Sequence, residues 1–191
     1  MELILASTSR IRRQLLERLG LSFTPLVPHT DETPLPGEAP RDLALRLAES
    51  KARSRGVDHP NALIIGSDQV AVLAGEVVGK PGNHARAKEQ LLRSSGKRLD
   101  FLTGLAVYNP ARERMQGRVV SSAVYFRELS PEQIDRYLQR DEPYASAGSF
   151  HAEGLGIALF QRMEGEDPTA ILGLPLMALT TMLEQEGVLV V

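Results

Sequence analysis

Residues 63–81 read LIIGSDQVAVLAGEVVGKP, an apolar run that delivers Asp68 to its end and is followed by Lys80. Leu63, Ile64 and Ile65 suit a strand buried on both faces, and Gly66-Ser67-Asp68-Gln69 reads as its end, where ligands sit in α/β sheets. Val70 to Leu73, Ala74-Gly75 and Glu76 to Val78 read as a hairpin that returns the chain to the same edge and presents Gly79-Lys80-Pro81. Asp68 and Lys80 are therefore expected to face one pocket.

Working outward, Glu2 to Ala6 reads as a buried strand, and Ser7-Thr8-Ser9 offers hydroxyls to cap a helix from about Arg10 to Leu19. Such a helix start has unpaired N–H groups and partial positive charge, which suit phosphate. Arg12 shares the inward stripe of Leu15, Leu16 and Leu19, whereas Arg13 reads as a solvated partner of Glu17. Ser22 to Val27 predicts a second strand and Arg41 to Arg55 a helix, in which Lys51 interrupts the apolar stripe of Ala44, Leu47 and Ala48. That lysine either snorkels to water or holds an anion at the rim of the core. The proline-rich stretch 29–40 between them is long enough to be functional or mobile. Its Asp31-Glu32 pair either solvates the turn or offers oxygen ligands to a hard cation.

Beyond the hairpin, a helix is expected over Ala85 to Ser94, then paired strands at Arg98 to Tyr108 and Arg118 to Arg127 joined by Asn109-Pro110. Ser130-Pro131-Glu132-Gln133 carries a capping box. Ile157 to Phe160 reads as a last strand and Leu176 to Glu186 as a last helix. The alternation of strands and helices followed by a hairpin predicts an α/β fold with a mixed, twisted sheet flanked by helices.

A chain of 191 residues, 42% hydrophobic and 24% charged, is expected to form one domain over 1–191 with a sizeable core. A formal charge of -2, 5% aromatic residues and no basic stripe argue against nucleic acid as partner. The absence of cysteine excludes disulfides and thiolate chemistry and suits the cytoplasm. Neither a secretory leader nor a membrane span is legible. Gly75 to Pro81 has too few residues for a P-loop and a proline where Ser or Thr is needed, and Gly154-Leu-Gly156 lacks the third glycine of a dinucleotide fingerprint. His29, His59, His84 and His151 have no zinc-binding spacing. What remains, a capped helix start, Arg12, a carboxylate loop, Lys51, Asp68 and Lys80, suits a metal-bridged polyphosphate.

Taken in order, Leu5-Ala-Ser-Thr-Ser-Arg-Ile-Arg-Arg13, Asp31-Glu-Thr33, Leu47-Ala-Glu-Ser-Lys-Ala52, Ile65-Gly-Ser-Asp-Gln-Val70, Gly79-Lys-Pro81 and Ala147-Gly-Ser-Phe150 resemble the Maf family of nucleoside triphosphate pyrophosphatases. The resemblance implies a Maf/inosine-triphosphatase-like fold of two lobes around a cleft. It also implies a divalent cation, Mg or Mn, and hydrolysis of a nucleotide to its monophosphate and pyrophosphate. Asp68 matches the proton acceptor. Ser7, Arg12, Glu32, Lys51 and Lys80 match phosphate and metal positions, with Glu32 and Asp68 as metal contacts and Arg13 among the substrate contacts. Gln69 and Glu153 resemble the subfamily acting on 7-methyl-GTP, where a carboxylate favours the cationic base. Ile11 replaces the aromatic residue of that subfamily and supplies no cation–π stacking. The alternatives are a dTTP/UTP pyrophosphatase and a non-catalytic nucleotide-binding regulator of septum formation. A small-molecule substrate is expected, with a homodimer possible in the family.

Overall fold

The structure, a computed structural model, describes residues 2–191. A seven-stranded sheet runs in the order β2-β1-β3-β5-β6-β7, with β4 pairing β3. The strands are β1 (Glu2–Ala6), β2 (Thr24–Leu26), β3 (Ala62–Leu73), β4 (Glu76–Val78), β5 (Arg98–Asn109), β6 (Arg114–Phe126) and β7 (Phe160–Gly165). The helices are α1 (Arg10–Glu17), α2 (Pro40–Arg53), α3 (His84–Ser94), α4 (Pro131–Asp141) and α5 (Leu176–Glu184). The expected mixed sheet is present: β1 runs parallel to β2 and β3, while β3–β4 and β6–β7 are antiparallel. Among the described residues, no helix is long and apolar enough to cross a membrane.

The chain divides into two compact units, one of residues 2–69, 102–120 and 166–191, the other of 70–101 and 121–165. In the first, period-2 alternation gives the sheet two apolar faces. Leu3, Leu5, Leu63 and Ile65 join Leu15, Leu16, Leu179 and Leu183 in one cluster, so α1 and α5 cover that face. Ile4, Ala6, Ala62 and Ile64 join Ala48 and Ala52 of α2 in another.

Glycine sets the distance between α2 and the sheet. A Cβ added at Gly66 would lie 2.1 Å from the Ala48 carbonyl oxygen and 2.6 Å from the Ala52 nitrogen, and one at Gly104 would lie 2.0 Å from the Ala44 carbonyl oxygen. These contacts are with backbone, so neither neighbour yields by changing a rotamer. Gly66→Ala is expected to destabilise the protein by about 3 kcal/mol, the upper part of the overpacking range, read as a lower urea midpoint at unchanged slope.

In the second unit, β3 and β4 form the expected hairpin, with Ala71 opposite Val78 and Leu73 opposite Glu76. Its turn residues Ala74 and Gly75 both have positive φ, 51° and 89°, the type I′ geometry whose twist matches the strands. The capping box of α4 is complete: the Ser130 hydroxyl accepts from the Gln133 N–H, and the Gln133 side chain accepts from the Ser130 N–H. Phe101, Phe126, Phe150 and Phe160 pack edge to face, with Phe150 touching the other three. The Ala147–Phe150 motif therefore serves this unit's core.

Two expectations are corrected. The first concerns β3, which does not end at Gly66–Gln69. It leaves its parallel partner at Gly66, paired with Ala6, and takes an antiparallel one from Ala71, so the polar residues lie inside a continuous strand. The second concerns Ile157 to Phe160, of which Leu155–Leu159 is a 3-10 turn. The strand follows at Phe160–Gly165, paired with β6. Smaller differences fall at ends: β2 and α1 are shorter than expected, and β6 begins at Arg114.

Candidate active site

Asp68 and Lys51 meet because two periodicities agree. Even-numbered residues of β3 face α2, which places Asp68 on the same side as Gly66. On α2, Lys51 follows Ala44, Leu47 and Ala48 on the buried stripe. Lys51 does not snorkel: its side chain is 7% exposed, and its ammonium lies 2.6 Å from Asp68 Oδ1 and 2.6 Å from Glu32 Oε1. Of the two open readings of Lys51, an ammonium held at the rim of the core is the one observed, and its partners are carboxylates. Asp68 is 13% exposed and Glu32 55%, so the cluster opens to solvent on the Glu32 side.

Arg12 belongs to the same electrostatic neighbourhood. Burial lowers its pKa below the ordinary value, and the charges of Asp68 and Glu32 oppose that shift. Its Nε donates to the Gly173 carbonyl at 2.7 Å. The Ser9 side chain caps α1 by accepting from the Arg12 N–H, and Ser7, buried at the end of β1, accepts from the Ser9 N–H at 3.1 Å. Of the three hydroxyls proposed for the cap, Ser9 takes the role.

Glu32 is carried by a strapped loop. Arg46 on α2 grips Glu38 through two nitrogens, the second at 2.7 Å, and its Nη2 also donates to the Thr33 carbonyl at 3.1 Å. Glu38 Oε2 in turn accepts from the Leu35 N–H at 3.0 Å. Hydrogen bonding to Arg46 pulls the Glu38 carboxyl from 4.5 to about 2. Since the folded value is depressed, the strap is fully present above about 4.5 and is lost only as pH falls through about 2. Protection of the Leu35 amide from hydrogen exchange is therefore expected to persist below the ordinary glutamate range. Arg46→Ala should remove that protection at neutral pH.

Gln69 points the other way. As an odd-numbered residue of β3 it lies on the face opposite Asp68, and its Nε2 donates to Thr103 Oγ1 at 3.0 Å, to the Ala170 carbonyl at 3.0 Å and to the Ile171 carbonyl at 3.1 Å. Ile11 is partly buried against the apolar cluster under α1 and α5. Arg13 is exposed, and among the described residues its expected ion pair with Glu17 is not formed. Lys80 and Glu153, both exposed, belong to the second unit.

In the sequence the segment 167–175 reads as a loop that introduces the last helix, and its capping role is not legible there. Asp167, 3% exposed, accepts from the Met177 N–H at 2.8 Å and so caps α5 from ten residues away, while the Thr169 hydroxyl accepts from the Leu176 N–H at 2.8 Å. Asp167-Pro168-Thr169 was the available signal, but it lies outside capping-box spacing.

The Maf-like protein family matches residues 2–186. The chain is 54% identical over 185 residues to 7-methyl-GTP pyrophosphatase of Nitrosococcus oceani, covering 97% of this chain and 93% of the relative. It is 50% identical over 186 residues to the protein of that name from Vibrio vulnificus, with 97% and 95% covered. For the one from Thiobacillus denitrificans the identity is 53% over 186 residues, with 97% and 92% covered. A looser likeness, TM-score 0.49 at 14% identity over 67% of this chain and 73% of the other, is to the solved Ham1 protein of Staphylococcus aureus, and nothing below rests on it.

Proposed function

This chain belongs to the Maf family, and we propose that it hydrolyses the bond between the α and β phosphates of a nucleoside triphosphate, 7-methyl-GTP above all, to the monophosphate and pyrophosphate. The observation that carries this reading is the convergence of Asp68 and Glu32 on the buried Lys51 ammonium, with Arg12 in the same field. Attack of water on a phosphoryl group needs a group to take the water's proton and fixed positive charge where negative charge develops. Asp68 is the proton acceptor, held in place at Oδ1 by Lys51. Arg12, Ser7 and the first N–H groups of α1 receive phosphate oxygens, and the resemblance to the family gives Lys80 a phosphate role of its own.

The donor set fits a divalent cation. Glu32 and Asp68 aim carboxylate oxygens at one positive centre, the chemistry magnesium and manganese favour. Among the described residues no cluster of three acidic or histidine side chains forms. Magnesium is commonly held by one or two carboxylates and completed by water and substrate phosphates. Glu32 and Asp68 would hold it, and when bound it neutralises charge on the phosphoryl oxygens.

Base preference rests on Glu153 and on the names of the relatives. A carboxylate near a cationic methylated purine lowers its free energy relative to a neutral base. Glu153→Gln is expected to reduce kcat/KM for 7-methyl-GTP about tenfold while changing that for UTP by less than about twofold. Equal losses on both nucleotides would remove Glu153 from base recognition and favour the dTTP/UTP alternative. The cytoplasm, where a free nucleotide pool is found and a cysteine-free chain is at home, is the proposed compartment.

A further inference from the structure

Glu153 occupies the third position of a turn, residues 151–154, closed by the Gly154 N–H donating to the His151 carbonyl at 3.2 Å. The first residue of that turn is gripped twice by α4. The His151 N–H donates to the Tyr137 hydroxyl at 3.1 Å, that hydroxyl donates to Asp141 Oδ2 at 2.6 Å, and His151 Nδ1 lies 3.2 Å from the same oxygen. Backbone and ring of His151 are thus joined through Tyr137 and Asp141 into one closed circuit of polar contacts. Tyr137 is 4% exposed and the Asp141 side chain 16%, so water competes weakly for these groups. The last residue of the turn borders the same carboxylate: a Cβ added at Gly154 would lie 3.6 Å from Asp141 Oδ1. Past it the chain folds back so closely that a Cβ at Gly156 would come 2.4 Å from the His151 carbonyl oxygen.

Helix α4 presents both arms on one face because Tyr137 and Asp141 are four residues apart. A carboxylate in the last turn of a helix opposes the macrodipole, so the placement of Asp141 disfavours α4 taken alone. Its partner outside the helix is the turn. Burial above all pushes the Tyr137 hydroxyl above its ordinary range, the bond to Asp141 adds to that, and the Glu153 charge acts in the same direction. The hydroxyl therefore keeps its proton for Asp141, and the Glu153 carboxylate is close enough to be felt there.

We propose that Tyr137, Asp141 and His151 form a clasp that fixes the direction of the Glu153 carboxylate, which makes Tyr137 and Asp141 positioning residues for selection of a cationic purine over a neutral base. The inference rests on the reading above, in which Glu153 distinguishes 7-methyl-GTP from UTP. A carboxylate aimed by a fixed turn meets the charged base without first being ordered, and one on a loosened turn loses part of its preference.

The test uses Tyr137→Phe and Asp141→Asn, each alone and combined with Glu153→Gln, with kcat and KM measured for 7-methyl-GTP and UTP. Tyr137→Phe removes the hydroxyl and keeps the ring. It is expected to lower kcat/KM for 7-methyl-GTP about fivefold, the positioning lost with roughly one buried hydrogen bond, and that for UTP by less than about twofold. Asp141→Asn keeps an acceptor for the Tyr137 hydroxyl but not the charge facing His151, and is expected to act in the same direction by about threefold. In the Glu153→Gln background both variants should alter the ratio of the two kcat/KM values by less than about twofold, because the charge they aim is gone.

Equal losses on both nucleotides would mark support of the fold alone and overturn the proposal. So would shifts of the ratio that persist undiminished beside Glu153→Gln. If Glu153→Gln by itself leaves the ratio unchanged, the reading of Glu153 as a base contact fails, and the role of the clasp falls with it. A Glu153→Gln variant that loses selectivity while Tyr137→Phe and Asp141→Asn retain it overturns the clasp alone.

Discussion

Asp68→Asn is expected to lower kcat about a thousandfold, within the range for loss of a general base, and to leave the fold intact. Asparagine keeps an oxygen in place of Asp68 Oδ1, so the 2.6 Å contact from Lys51 retains an acceptor and the sheet retains its side-chain volume. What is lost is the negative charge that takes the water's proton. KM should change far less than kcat, the pattern for a group that acts mainly in the transition state. Unchanged kcat would mean that some other residue takes the proton.

Lys51→Met carries the second large effect, on stability as well as rate. The ammonium is 7% exposed and stands between two carboxylates, so its removal leaves Asp68, 13% exposed, facing Glu32 with no cation between them. Breaking a buried pair costs about 3 to 5 kcal/mol, and the half-exposed Glu32 places this case near about 3. In a chain of this size that lowers Tm by about 10 °C. Millimolar magnesium should raise the Tm of the variant by more than that of the wild type, since a divalent cation restores positive charge between the same oxygens. A variant as stable as the wild type and indifferent to magnesium would show that the carboxylates are not coupled through Lys51.

Much of this site is readable without coordinates, because it obeys two simple periods. The stripe of Ala44, Leu47, Ala48 and Lys51 puts one cation against the sheet, and the stripe of Arg12, Leu15 and Leu16 puts another beside it. The same rule of two that sends Asp68 toward α2 also sends Gln69 to the opposite face. That consequence holds only inside a strand, since a loop has no faces. Polar residues inside a strand look like an ending when the change of partner, from β1 to β4, is out of sight.

The turn at 170–173 was illegible for a different reason. Its contribution to the site is made by carbonyl oxygens, which every residue carries and no side chain announces. Gly173 has no side chain to mark it, and its role lies in a positive φ and a carbonyl that accepts from Arg12 Nε. The misplaced last strand has a similar origin: Ile157 to Phe160 has strand composition, but hydrogen-bond pairing begins at Phe160, after a 3-10 turn.

The most direct measurement is product analysis with 7-methyl-GTP, GTP, dTTP and UTP, each incubated with the protein and magnesium. The expected result is pyrophosphate and monophosphate in equal amounts, fastest from 7-methyl-GTP, and lost in Asp68→Asn. Release of orthophosphate in place of pyrophosphate, or no pyrophosphate from any of the four, would contradict a pyrophosphatase built on Asp68, Lys51, Glu32 and Arg12.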